Sequence, residues 1–193
     1  FSFSAEDILN KINTNTSLII INSPANPTGG LVPKSELEKL VNGLEKHPDV
    51  VLMSDEIYDQ FCFGKNDFTS MLQFPELRDR LIILNGWSKT YAMTGWRLGY
   101  GIFPGKLYEI AEKLAVNIHS CVNSSAQYAA LEALNGPQNC VSEMNNHFKR
   151  RAHLMFSKLN KINGFSCQKP NGAFYCFPNI TGTGKNSTEI QNI

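Results

Sequence analysis

The sequence predicts an α/β fold: a mostly parallel sheet between helices in a three-layer α/β/α arrangement, followed by the start of a small α+β unit. Two observations carry the main part. Short β-branched apolar runs at 18–22, 50–53 and 81–84 alternate with segments whose apolar residues recur at helical spacing. The composition, 42% hydrophobic and 18% charged over 193 residues, suits a chain that buries a core without staples. A third observation marks the second unit: after Gly164 the helical period stops and short apolar runs bracket a Pro170-Asn171-Gly172 turn.

Taken in order, Ser4 is placed to cap a short helix over 5–12. The run 18–22 reads as a buried strand and ends in a turn-rich stretch, Ser23-Pro24-Ala25-Asn26-Pro27-Thr28-Gly29-Gly30. Pro33 suits a first helical turn, and Leu37, Leu40, Val41 and Leu44 continue that helix through Lys46. The second strand, 50–53, runs into Ser54-Asp55-Glu56-Ile57-Tyr58. The third, 81–84, ends at Asn85-Gly86-Trp87-Ser88-Lys89. A loop with Met93-Thr94-Gly95-Trp96-Arg97 leads to a fourth strand over 98–103. Helical patterns cover 106–121, 125–134 and 141–161. Segments 165–168 and 173–177 then read as a two-strand unit, and 181–188 as loop. We place a domain boundary inside the long helix, dividing 1–150 from 151–193.

Eighteen basic against seventeen acidic residues give a net charge of +1, which excludes a general nucleic-acid binder. No apolar run approaches the roughly 20 residues that span a bilayer. Five cysteines, none spaced C-x-x-C, fit reduced packed thiols and a cytoplasmic protein better than a disulfide framework or a zinc ribbon. His147 and His153 lack metal-ligand spacing, so no metal is expected. Lys149-Arg150-Arg151 reads as a solvated helix face. Gly182-Thr183-Gly184-Lys185-Asn186-Ser187 lacks the leading glycine and the hydroxyl after lysine that a phosphate loop requires. The chain opens on Phe1 and closes after a polar stretch, so we expect a piece of a longer protein.

In parallel α/β sheets, ligands sit beyond the carboxyl ends of the strands. Here those ends deliver Asn26, then Asp55 and Tyr58, then Ser88 and Lys89, with Arg97 eight residues on. Singly each has an ordinary reading: a surface lysine, a helix-capping aspartate, a half-buried tyrosine, a turn asparagine, a surface arginine. Together they match one chemistry. A lysine forms a Schiff base with a carbonyl, a carboxylate holds a positive ring nitrogen, a phenol and an amide hold a phenolate oxygen, and an arginine grips a phosphate. Those needs describe pyridoxal 5'-phosphate. Trp87, Tyr91 and Trp96 read as packing residues, and Glu56 as structural.

Three ordered motifs carry a resemblance: Ser23-Pro24-Ala25-Asn26-Pro27-Thr28-Gly29, Ser54-Asp55-Glu56-Ile57-Tyr58 and Ser88-Lys89-Thr90-Tyr91-Ala92-Met93-Thr94-Gly95-Trp96-Arg97-Leu98-Gly99-Tyr100. Pro170-Asn171-Gly172-Ala173-Phe174-Tyr175 adds a weaker fourth, resembling the family's small-domain hairpin. Over nearly its whole length the chain resembles the class I aminotransferases among the fold-type-I pyridoxal-phosphate enzymes, most of all their bacterial aspartate aminotransferase branch. The resemblance implies that 1–150 is the later part of the large cofactor-binding domain and 151–193 the connecting helix and start of the small domain. It assigns Lys89 to the covalent link with the cofactor and to proton transfer. It assigns Asp55 to the pyridinium nitrogen, Tyr58 and Asn26 to the ring hydroxyl oxygen, Arg97 to the phosphate and Ser88 to cofactor binding. Many relatives carry a phosphate-binding serine three residues before the lysine, where this chain has Gly86. A cis bond before Pro27 is also implied.

The implied activity is transfer of an amino group between an L-amino acid and a 2-oxo acid, by default aspartate and 2-oxoglutarate, in a cytoplasmic homodimer. A glycine-rich phosphate loop, a stacking aromatic and a carboxylate-binding arginine are expected outside 1–193, so this piece alone is expected to be inactive. A lyase or decarboxylase of the same fold, and a non-catalytic truncated relative, stay open.

Overall fold

The computed structural model describes residues 3–63 and 68–192. Its centre is a four-stranded sheet in the order β1-β2-β3-β4: β1 (Leu18–Asn22), β2 (Val51–Asp55), β3 (Leu81–Gly86) and β4 (Gly99–Ile102). The first three are parallel and β4 closes the edge antiparallel to β3. Helices α1 (Ala5–Leu9) and α2 (Lys34–Leu44) stand beside β1 and β2. A one-turn α3 (Trp87–Thr90) follows β3 directly. After β4 come α4 (Gly105–His119), α5 (Ser124–Asn135), the long α6 (Asn139–Leu159) and a short α7 (Ser187–Gln191).

The core follows from the predicted periodicities. The α2 stripe Leu37, Leu40, Val41 and Leu44 packs with Ile21, Val50, Leu52, Leu81 and Ile83 of the strand region. Ser4 caps α1 by accepting from the Asp7 amide at 3.1 Å, and Glu36 of α2 accepts the Ala5 amide at 2.9 Å. The far face of β1 is bare, with Ile20 63% exposed. So is much of α4, where Ile110, Leu114 and Ile118 face outward. Among the described residues no helix is long and apolar enough to cross a membrane, and no group of residues is arranged to hold a metal ion.

Arg80 locks α2 to the sheet. Its guanidinium donates to the carbonyls of Leu44 (2.9 Å), His47 (2.6 Å) and Val50 (3.2 Å), satisfying acceptors past the end of α2. Arg80→Ala is expected to cost about 2 kcal/mol, read as a lower urea midpoint, with Arg80→Lys recovering only part, because one ammonium does not reproduce the guanidinium fork. An unchanged midpoint in the alanine variant would contradict this role.

The structure departs from the sequence reading in three places. β3 runs on to Gly86 because Asn85 and Gly86 pair with Tyr100 and Gly99. The expected two-strand unit after Gly164 reduces to one bridge, Ser166 with Asn179. The reason is that the second segment gives its backbone to another partner. Ala173 donates to the Phe61 carbonyl, Phe63 donates to the Asn171 carbonyl, and Gly172 forms a bridge with Cys62. Finally, 181–188 is not all loop: a 3-10 turn covers Thr181–Thr183, and Asn186 opens α7 with a capping box to Glu189.

A core cluster also crosses the expected domain boundary. Phe148 and Ala152 of α6, on either side of residue 150, both pack against the cluster formed by Tyr58, Phe61, Phe63 and Ala173.

Candidate active site

The parallel strands end side by side, and their registers set the site. Asn22 lies opposite Asp55, and Asp55 opposite Leu84, just before the turn into α3. That turn needs Gly86. A Cβ there would lie 2.8 Å from the Gly99 Cα and 2.9 Å from the Leu98 carbonyl oxygen. The close β3–β4 approach thus leaves no room for the serine that many relatives are expected to carry.

Lys89 sits on α3, half-buried, and its side-chain amine makes no hydrogen bond or ion pair among the described residues. Its Nζ lies 5.9 Å from the Tyr58 ring centre and 5.8 Å from that of Phe174, so two aromatic rings flank the amine. Tyr58 is 3% exposed. Its hydroxyl is 2.7 Å from the hydroxyl of Tyr175, and the Phe174 ring meets it edge-on at 5.1 Å. Burial, then the hydrogen bond and charge of Tyr175, push the Tyr58 phenol well above its ordinary value of 10.0. Tyr58 is therefore a neutral hydroxyl, able to donate, throughout the neutral pH range.

Asp55 ends β2. One carboxylate oxygen accepts the Ile57 amide at 3.2 Å, and the other has no hydrogen bond among the described residues. Asn22, which the sequence reading passed over, ties the first two motifs together. Its side-chain amide donates to the Asp55 carbonyl (3.1 Å), and its side-chain oxygen accepts the Asn26 amide (2.7 Å). A polar residue closing an otherwise apolar strand was the available signal. Asn26 itself is exposed, and the peptide bonds before Pro24 and Pro27 are both cis.

Ser88 is half-buried and makes no hydrogen bond among the described residues. Arg97 is exposed, with a left-handed backbone (φ 54°), and donates to the Thr94 carbonyl at 2.9 Å. It lines an open cleft of about 610 Å³ with Trp96, Asn123 and Ala126. Thus Lys89 and Tyr58 come together, Asn26 joins Asp55 through Asn22, and among the described residues the Arg97 and Ser88 side chains hydrogen-bond to none of these four. The Thr90 hydroxyl, next to Lys89, donates to Asp59 at 3.4 Å, joining α3 to the turn that carries Tyr58. Trp87 and Tyr91 are packing residues: the Trp87 indole donates to the Ala130 carbonyl, and Tyr91 donates to Gln138.

Glu56 is structural. Its carboxylate accepts from the Ser54 hydroxyl (3.1 Å) and the Met71 amide (2.9 Å) while 3% exposed. Burial raises its pKa above 4.5, against the opposing pull of its hydrogen bonds. The native state then keeps this proton to a higher pH than the unfolded chain. Stability from this group therefore falls as pH rises from the unfolded value through the native one. Glu56→Gln is expected to flatten that slope, measured as urea midpoints from about pH 4 to 7. An identical slope in the variant would contradict it.

Among the described residues, an amine without a counter-ion, a carboxylate with one oxygen not hydrogen-bonded and a neutral phenol stand at the carboxyl ends of parallel strands. That donor set fits a carbonyl-bearing aromatic cofactor with a basic ring nitrogen.

Comparison with known proteins agrees. The family model for aminotransferase class I and II matches residues 1–191. An aspartate/prephenate aminotransferase of Cereibacter sphaeroides is 42% identical over 189 residues, covering 97% of this chain and 47% of that protein. An aspartate aminotransferase of Bacillus subtilis is 41% identical over 180 residues, covering 93% and 46%. The crystal structure of an aromatic aminotransferase from Pyrococcus horikoshii superposes with a TM-score of 0.94 at 35% identity, covering all of this chain and 52% of its own. The chain thus spans about half the length of the relatives it matches. Motif order, strand-end geometry and sequence agree that the chain belongs to the class I and II aminotransferase family.

Proposed function

We propose that the whole protein is a pyridoxal-phosphate-dependent aminotransferase that moves an amino group between an L-amino acid and a 2-oxo acid, with aspartate and 2-oxoglutarate as the default pair. The observation that carries this reading is the Lys89 amine, without a counter-ion among the described residues, set against Tyr58 where β2 also delivers Asp55. The cofactor supplies an electron sink for the carbanion at the amino-acid Cα. Lys89 would hold it covalently and then carry the proton to and from that carbon. Asp55 keeps a proton on the ring nitrogen through its free carboxylate oxygen. Tyr58 and Asn26 would donate to the ring oxygen, Arg97 would grip the phosphate, and Ser88 would contribute to cofactor binding.

The reading extends to a homodimer working in the cytoplasm, supported by the bare apolar face of α4 and by cysteines of which no two are spaced C-x-x-C. It also divides the chain near residue 150. The test is isotopic. The whole protein, given the cofactor, L-[15N]aspartate and 2-oxoglutarate, is expected to form [15N]glutamate. Loss of carbon dioxide or elimination without nitrogen transfer would point to a decarboxylase or lyase, and no turnover of any amino acid to a non-catalytic relative.

A further inference from the structure

We propose that Tyr175 is a positioning residue for Tyr58: through the hydroxyl–hydroxyl hydrogen bond it fixes where the Tyr58 hydroxyl points and how strongly it donates. The inference rests on the cofactor reading above and adds a residue that none of the three principal motifs contains.

The two tyrosines are 117 residues apart in sequence, yet their hydroxyl oxygens are 2.7 Å apart. The contact is built, because the backbone beside Tyr175 is held on both sides of the site. The Gly29 carbonyl accepts the amides of Asn171 (2.8 Å) and Gly172 (3.0 Å), and the Phe61 carbonyl accepts the Ala173 amide (2.9 Å). Gly29 is left-handed (φ 68°), and a Cβ on it would lie 2.8 Å from the Tyr175 carbonyl oxygen. The loop carrying Asn26 and the turn carrying Tyr58 therefore both grip the short segment that presents Tyr175.

Packing alone would not call for a hydroxyl here. The Tyr175 ring meets Tyr58 edge-on at 5.8 Å and Phe174 at 4.8 Å, contacts that phenylalanine would keep. A hydroxyl has one proton and two lone pairs. When Tyr58 spends its proton on the cofactor's ring oxygen, its own oxygen is left to accept, and Tyr175 is the donor in place. A donor that is itself hydrogen-bonded polarises and donates more strongly. A stronger donor at the ring oxygen lowers the proton affinity of the neighbouring nitrogen that Lys89 supplies.

The experiment uses the whole protein loaded with pyridoxal phosphate, as wild type, Tyr175→Phe, Tyr58→Phe and the double variant. Two quantities are read: the pH midpoint of the bound cofactor's near-visible absorbance, and the cofactor Kd. Tyr175→Phe is expected to raise the midpoint by about half a pH unit and weaken the Kd about threefold, and to do neither in the Tyr58→Phe background. A merely structural role would leave the midpoint unmoved. The inference is overturned if Lys89 carries the cofactor but the midpoint does not shift, or if the shift is the same without the Tyr58 hydroxyl. Borohydride reduction of the wild type separates the two levels. No adduct on Lys89 removes the cofactor reading and this inference together, whereas an adduct with an unmoved midpoint removes this inference alone.

Discussion

Lys89→Ala is expected to reduce nitrogen transfer from aspartate by at least about 10³-fold in the whole protein, since one side chain supplies both the covalent link and the proton carrier. Arginine is not expected to rescue it, because a guanidinium stays protonated and cannot serve as base or nucleophile. Added methylamine is expected to restore a small part of the rate by acting as a free base. Folding should be nearly untouched, as the Lys89 amine makes no hydrogen bond or ion pair among the described residues and lies near the rings of Tyr58 and Phe174. A melting temperature close to wild type with turnover near zero is the expected pair of results. Turnover above a tenth of wild type would remove Lys89 from the reaction.

Asp55→Asn separates binding from chemistry. Asparagine keeps the volume and an oxygen that can accept the Ile57 amide, and it loses only the charge. The cofactor should still attach to Lys89, while turnover falls about 10²- to 10⁴-fold, because a neutral amide no longer favours a proton on the ring nitrogen. Asp55→Ala should lose as much activity and, in addition, the hydrogen bond to Ile57. Near-normal turnover in either variant, measured by the same isotopic transfer, would mean that the residue opposite Asn22 in the sheet does not serve the ring.

How much of this was legible depended on distance along the chain. β1, β2 and β3 were readable because each is a short β-branched run, and the α2 stripe because Leu37, Leu40, Val41 and Leu44 repeat at helical spacing. Asp55, Tyr58 and Lys89 were readable because strand ends in a parallel sheet converge, so two local motifs sufficed to place them at those ends. The contact between Tyr58 and Tyr175 was not readable. It depends on the 170–175 segment leaving its local partner for the backbone of Gly29 and Phe61, a long-range choice that local pattern does not encode. The same choice removed the expected strand pair. The α7 capping box was legible in Asn186 and Glu189, but the polar composition of the stretch outweighed it in the reading. Arg97 shows the reverse: its motif was plain, yet the cleft that it lines with Asn123 could not be read from local pattern.

Whether Lys89 is the cofactor's covalent anchor can be read directly by chemical trapping. The whole protein is incubated with pyridoxal phosphate, reduced with borohydride, digested and mapped by mass spectrometry. A single dominant pyridoxyl-modified peptide is expected, with the modification on Lys89. An unmodified Lys89, or label spread over surface lysines such as Lys34 and Lys39, would contradict it.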